Sequence, residues 1–191
     1  KYELKEAIGL AKDSNSEKFD ESLNVLQALL HDEEVSWDGK YYQFEPLTVM
    51  PRPMRPGGPP IMMAVLVPQA IYHCTKRGFH IQTTPLSGDD GLMKNQVEAF
   101  QKGKDELGTG GEELTLSLSR VAFVANSGAQ QRRAIEQAHD YYKRFDNVIT
   151  GSGQVNRGMI EPLPRIQTVE ELGESLLVCE PAQMVDKLGP Y

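Results

Sequence analysis

The residues best placed to do chemistry lie where an apolar run meets a proline. Ile61 to Val65 reads as a short buried strand, and Leu66-Val67-Pro68-Gln69-Ala70 follows it. Proline is favoured at the first position of a helix, where its missing N–H has no intrahelical partner in any case. A helix opening at Pro68 aims free backbone N–H groups and the positive end of its dipole beyond the strand end, an arrangement that suits a phosphate. The candidate binding segment is therefore Met63 and Ala64 at the strand end with Val67, Pro68, Gln69 and Ala70 in the turn. An ordinary strand–helix turn has the same make-up, so the segment alone does not decide between the two.

Other candidates are less specific. Thr83 and Thr84 end a second strand, where they either hydrogen-bond a ligand or simply fit a strand. Arg120 stands beside the apolar run Val121 to Val124; it faces an anion or pairs with a buried carboxylate. His73 and His80 have no sequence-evident partner that would make either a general base. The four histidines show no HxxxH or HExxH spacing, so no metal site is expected. Cys74 and Cys179 form no CxxC and read as reduced, buried residues. No Ser/His/Asp, Cys/His or paired-carboxylate arrangement stands out, and the catalytic residues stay unassigned.

These candidates need a scaffold. Residues 14–31 are expected to be helical, with a Ser14/Glu17 capping box and one apolar face of Phe19, Leu23, Leu26 and Leu30. Residues 35–44 read as a β-hairpin turning at Asp38-Gly39, with Trp37, Tyr41, Tyr42 and Phe44 as cross-strand packing or as a lid or dimer contact. Half of residues 51–60 are proline, which makes that stretch a stiff connector. Beyond it, strands alternate with helices. The expected strands are Ile61–Val65, Phe79–Pro85, Leu114–Ala125 and Ser175–Cys179. The helices open at Pro68, at Ser87 or Asp89, at Ser127, at a Thr168/Glu171 capping box and at Pro181, and Gly78 ends the first of them. Met93, Val97, Phe100 and Leu107 form the expected inner face of the second helix, and Ala134, Ala138, Tyr141, Phe145 and Val148 that of the third. Gly151-Ser152-Gly153 is a loop followed by irregular chain. Such alternation predicts an α/β fold with a parallel sheet.

The chain has 191 residues, with 20 basic and 27 acidic side chains and a net charge of −7. Hydrophobic residues make up 39%, enough for a globular core. The acidic balance argues against a nucleic-acid or anionic-membrane partner. No apolar run reaches bilayer length and the charged start is not a signal peptide, so a cytoplasmic location is expected. Lys1 is not Met and the chain stops at Leu188-Gly189-Pro190-Tyr191; both ends read as cut from something longer.

Trp37-Asp38-Gly39-Lys40-Tyr41-Tyr42-Gln43-Phe44, Met50-Pro51-Arg52-Pro53-Met54-Arg55-Pro56 and Pro59-Pro60-Ile61, in that order, resemble the bacterial luciferase-like flavin monooxygenase family. The helix around Glu17 to Leu23, the run Arg120 to Ala125 and the run Val178 to Val185 are similar to the family as well, so the resemblance covers nearly the whole chain. It implies a (β/α)8 TIM-barrel fold, of which this chain holds about the last four strand–helix units behind a helix and hairpin insertion. On this reading residues 1–60 are the insertion segment and 61–191 the C-terminal half of the barrel. The implied activity is a flavin-dependent monooxygenase that activates O2 at reduced FMN and oxygenates a small organic substrate. A partner flavin reductase and a homodimer are implied too. The alternatives are an oxidoreductase using the deazaflavin F420, and a non-catalytic flavin- or ligand-binding protein. The resemblance places the flavin phosphate at the Pro68 turn, where relatives carry hydroxyls in a Ser-Pro-Glu-Ser-like run. Here Val67 and Ala70 replace the hydroxyls and Gln69 stands for the acid, so only backbone donors are retained.

Overall fold

The structure, a computed structural model, describes residues 12–86, 90–149, 153–164 and 167–189. The chain divides into two compact units, Lys1–Pro60 and Ile61–Tyr191.

The first unit holds helix α1 (Lys12–His31) and an antiparallel hairpin of β1 (Val35–Asp38) and β2 (Gln43–Leu47). Because α1 already includes Lys12 and Asp13, Ser14 lies inside the helix rather than capping it. The expected apolar face is also only partly used: Leu23 is buried, but Phe19 and Leu26 are exposed. The helix meets the hairpin through a polar stripe instead, Glu17 and Glu21 at i, i+4, and Val25 one turn further on is buried.

The hairpin turn differs from expectation as well. Asp38 pairs with Gln43, so the loop is the four residues Gly39–Tyr42, closed by Gly39 N–H donating to Tyr42 O at 2.9 Å. The cause is Glu21. Its carboxylate accepts the backbone N–H groups of Lys40, Tyr41 and Tyr42 at 2.9–3.1 Å and the Trp37 indole N–H at 3.3 Å. Donors turned toward Glu21 are not available to a tight two-residue turn. Trp37 sits opposite Phe44 across the strands, while Tyr41 and Tyr42 hydrogen-bond Glu17 and Ser22. Arg52 in the connector donates to the carbonyls of Leu29 and Leu30, two of the unpaired acceptors at the end of α1. Arg55-Pro56-Gly57-Gly58 makes a turn, with Gly57 at φ 81° and Gly58 N–H bonded to Arg55 O.

In the second unit, β3 (Met62–Ala64), β4 (His80–Thr83) and β5 (Leu116–Leu118) form a parallel sheet in that order. Helix α2 (Pro68–Lys76) links β3 to β4, and α3 (Asp90–Leu107) links β4 to β5. The row Met63–Ile81–Leu116 faces these helices and packs with Ile71, Phe100 and Leu114. The adjacent row Ala64–Gln82–Ser117 is exposed on the other face. Gly78, at φ 83°, ends α2 as expected.

The expected strand Leu114–Ala125 is broken. Ser119 N–H still donates to Thr83 O at 2.9 Å, but the chain then leaves the sheet at Arg120–Val121, and β6 (Ala122–Val124) pairs in parallel with β9 (Leu177–Cys179). Arg120 sits at the break. Its side chain is only 8% exposed and donates to Ser175 O at 2.6 Å and Met93 Sδ at 3.2 Å, with the Asp90 carboxylate 3.8 Å away. The break thus falls where a buried guanidinium is held by groups from two other elements. The expected pairing with a buried carboxylate is not what forms: the guanidinium is buried, but Asp90 is exposed and a backbone carbonyl is the closer partner.

Ser127 caps α4 (Gly128–Ile149), accepting from Gln130 N–H at 3.3 Å. The buried face of α4 is Ile135, Ala138 and Tyr142, packed on Leu172, Leu176 and Val178. Of the expected face, Ala138 is buried and Ala134 and Phe145 pack against this core, while Tyr141 and Val148 are exposed. The chain after Gly153 is less irregular than expected: β7 (Val155–Asn156) and β8 (Met159–Ile160) form a hairpin turning at Arg157-Gly158, both at positive φ. Helix α5 (Val169–Ser175) carries both hydrogen bonds of the Thr168/Glu171 capping box, and α6 (Pro181–Leu188) follows β9. The proposed caps Ser87 and Asp89, and Gly151-Ser152, lie outside the described residues.

Candidate functional site

The ends of β3 and β4 lie side by side, because Ala64 pairs with Gln82 and Val65 N–H donates to Gln82 O at 2.9 Å. Met63 turns toward the helices and joins the core. Ala64, one residue on, points to the exposed face. Val67 is extended (φ −81°, ψ 126°), 61% exposed, and caps α2 without any side-chain hydrogen bond. Pro68 takes the first helical position, and the first intrahelical bond runs from Ile71 N–H to Val67 O. The N–H groups of Gln69 and Ala70 thus precede the helical ladder, at the positive end of a nine-residue helix with no acidic residue in its first turn. The exposed side chain of Gln69 reaches back along the helix, its amide donating to His73 Nε2 at 2.8 Å.

The two threonines part company. Thr83 is buried on the helix side of the sheet, with its hydroxyl unpartnered among the described residues. Thr84 Oγ1 accepts Leu86 N–H at 3.2 Å, which holds Leu86 at φ 55°, a left-handed conformation uncommon for leucine. His80 is accounted for by structure: it opens β4, away from the strand ends that face the turn, and its Nδ1 accepts Thr115 N–H at 3.2 Å.

Gln96 of α3 was not singled out from the sequence. It is fully buried, and its carboxamide donates to Leu66 O at 2.8 Å and to Thr84 O at 3.1 Å, joining the turn after β3 to the turn after β4. The signal was present in the spacing. Gln96, Phe100 and Gly103 fall at i, i+4, i+7 and are the buried residues of α3, while Val97, expected to face the core, is 41% exposed. Gly103 lies so close to α2 that an added Cβ would stand 2.7 Å from Thr75 Cβ.

A groove of about 670 Å³ lies elsewhere, along β6 and α4, lined by Val121, Phe123, Ala138 and Tyr141 among others. None of the turn residues borders it. Among the described residues no group of His, Cys, Asp and Glu could hold a metal ion, and no helix is long and apolar enough to cross a membrane.

The family model for luciferase-like monooxygenases matches residues 3–182. The chain belongs to that family. No curated protein sequence matches it. Several solved structures do, at low identity. A monooxygenase from Streptomyces bottropensis is 16% identical with a TM-score of 0.57, over 91% of this chain and 62% of that one. An F420-dependent secondary alcohol dehydrogenase, solved with an F420–acetone adduct, is 15% identical with a TM-score of 0.67, over 96% of this chain and 55% of that one. The oxygenating constituent of 3,6-diketocamphane monooxygenase from Pseudomonas putida, a type II Baeyer–Villiger enzyme in complex with FMN, is 17% identical with a TM-score of 0.58, over 92% of this chain and 52% of that one. The luciferase-like chain thus has the TIM-barrel type of α/β fold and spans between half and two thirds of the length of these relatives.

Proposed function

We propose that this chain supplies the last four strand–helix units, residues 61–191, of a flavin-dependent monooxygenase barrel, with residues 1–60 as the insertion before them. The flavin phosphate sits at the Val67–Ala70 turn, where the N–H groups of Gln69 and Ala70 receive it. What carries this reading is the uncapped start of α2 at the end of β3, within a chain of the luciferase-like family. The donor set fits a phosphate: two main-chain N–H groups, a positive dipole end and no nearby first-turn carboxylate. Ala64, Gln82 and Ser117 leave an exposed floor beside it for the rest of the cofactor. Gln69 serves through its backbone, since its side chain holds His73.

Reduced FMN, when bound, supplies the electrons that activate O2 toward a small organic substrate. The protein's part is to anchor the phosphate through Gln69 and Ala70 and to orient the ring system over the Ala64 row. A partner reductase delivering reduced flavin and a homodimer complete the proposal. The test is a fluorescence titration with FMN and with riboflavin, followed by oxygen uptake with reduced FMN. Binding of FMN about tenfold tighter than riboflavin is expected from the phosphate contacts. Equal affinities would remove the phosphate from the turn, and oxygen uptake no faster than that of free reduced flavin would remove the monooxygenase.

A second reading has its own observation. The F420-dependent dehydrogenase superposes with a TM-score of 0.67 over 96% of this chain. Hydride transfer to or from F420 needs no oxygen, so turnover under argon separates the two. If Val67 and Ala70, lacking hydroxyls, leave the chain a non-catalytic flavin binder, flavin binds but neither assay turns over.

A further inference from the structure

We infer that Gln96 is a positioning residue of the phosphate turn, setting the direction in which the first N–H groups of α2 point. The inference rests on the proposed flavin-phosphate role of that turn. Gln96 is fully buried on α3, yet both hydrogen bonds of its amide nitrogen go to the rim: to Leu66 O at 2.8 Å and Thr84 O at 3.1 Å. Leu66 directly precedes the cap residue Val67, so its carbonyl belongs to the peptide plane that leads into the helix. Thr84 organises the neighbouring turn, accepting Leu86 N–H and holding Leu86 at φ 55°.

The chemistry at this position is narrow. A carboxamide NH2 carries two hydrogens and no charge, so it satisfies two carbonyls at once in a buried place. Glutamate when ionised has no hydrogen to give, methionine has none, and lysine would bury a charge. The remaining atom, Gln96 Oε1, has no partner among the described residues, so the side chain's hydrogen bonding is committed to the rim. Gln96 therefore couples the two turns. With the coupling lost, each turn relaxes on its own, and the N–H groups of Gln69 and Ala70 no longer converge on one anion.

Gln96→Met preserves length and apolar bulk while removing both donors. It is expected to weaken FMN binding about three- to tenfold while leaving riboflavin binding unchanged, the span corresponding to one hydrogen bond's net worth. Phe100→Leu, a core substitution on the same helix that touches neither carbonyl, is the control: it lowers thermal stability but weakens neither ligand selectively. Hydrogen exchange on the ligand-free protein gives a second readout. The amides of Val65, Ile71 and Leu86, bonded to Gln82 O, Val67 O and Thr84 Oγ1, should exchange faster in Gln96→Met than in Phe100→Leu at matched stability. Should Gln96→Met fail to fold, Gln96→Asn, one methylene too short to reach both carbonyls, carries the same expectation. FMN and riboflavin weakening in equal proportion, or exchange equal to that of the control, overturns the assignment. Wild-type protein that binds FMN no better than riboflavin overturns the proposed function instead, and the exchange comparison alone then decides whether Gln96 sets the turn.

Discussion

Two places in this molecule gather backbone N–H groups, and they end differently. In the hairpin loop the donors of Lys40, Tyr41 and Tyr42 converge on the Glu21 carboxylate. At the start of α2 the donors of Gln69 and Ala70 meet no side-chain cap, because the cap position is Val67. A charge supplied from within the chain turns a cluster of donors into a fastening. A cluster given no internal acceptor stays open to an anion from outside. The start of α5 is a second closed case, with Thr168 and Glu171 satisfying each other.

The largest expected effect comes from breaking the closed site. A Cβ at residue 39 would stand 2.0 Å from Glu21 Oε1 and 2.6 Å from Trp37 Nε1, so only glycine admits the carboxylate. Gly39→Ala should expel Glu21 and release all of its donors together, destabilising the hairpin by about 2–3 kcal/mol, the upper range for overpacking. Trp37 is the chain's single tryptophan, so its fluorescence reports this unit directly. An unfolding midpoint by Trp37 emission equal to that of the wild type would mean the Glu21 fastening is incidental.

A smaller effect is expected from Glu21→Gln, which keeps one acceptor oxygen but loses the charge. Burial pushes the Glu21 carboxyl up, but the N–H groups of Tyr42, Tyr41, Trp37 and Lys40 outweigh it and hold its pKa below 4.5. Glu17 is held low by hydrogen bonds from Lys40 and Tyr41. With the folded value depressed, the unfolded chain takes up the proton first as pH falls. The stabilisation is therefore complete above about 4.5 and is lost as pH drops through the lower folded value. Glu21→Gln should flatten the acid limb of stability against pH while leaving Glu17's share. An unchanged acid limb would assign the pH dependence elsewhere.

The same contrast explains what could be read from the sequence. Features whose partners are near neighbours were legible: Pro68 opening α2, Gly78 ending it, Ser127 capping α4, and Thr168 with Glu171 three residues on. Features made by distant partners were not. The hairpin loop depends on a carboxylate about twenty residues earlier. Arg120, between β5 and β6, is held by Ser175, 55 residues away. Gln96 serves carbonyls 30 and 12 residues back. In α4, the apolar residues cover more of the surface than the core uses: Ala134, Ala138 and Phe145 pack with Ile135 and Tyr142, while Tyr141 is left exposed, and only packing against Leu172 and Val178 decides which. At the candidate site the helix start was legible from its proline, but the residue that ties it to the next turn was not.

The smallest expected change in stability is also the sharpest test, because it closes the open site. Val67→Asp places at the head of α2 the kind of acceptor that Glu21 supplies in the hairpin. Val67 is exposed and extended, the backbone state of a capping residue, so an aspartate there needs no rearrangement. Its carboxylate should accept from the first turn and interact favourably with the dipole, raising stability by about 0.5–1 kcal/mol. The same carboxylate would occupy the donors proposed for phosphate and repel a second anion. Affinity for FMN should therefore fall more than tenfold while riboflavin binding holds, so that stability and phosphate affinity move in opposite directions. Paired calorimetric melting and flavin titration check both signs. A variant that melts higher and still prefers FMN would mean that the phosphate is held somewhere other than the start of α2.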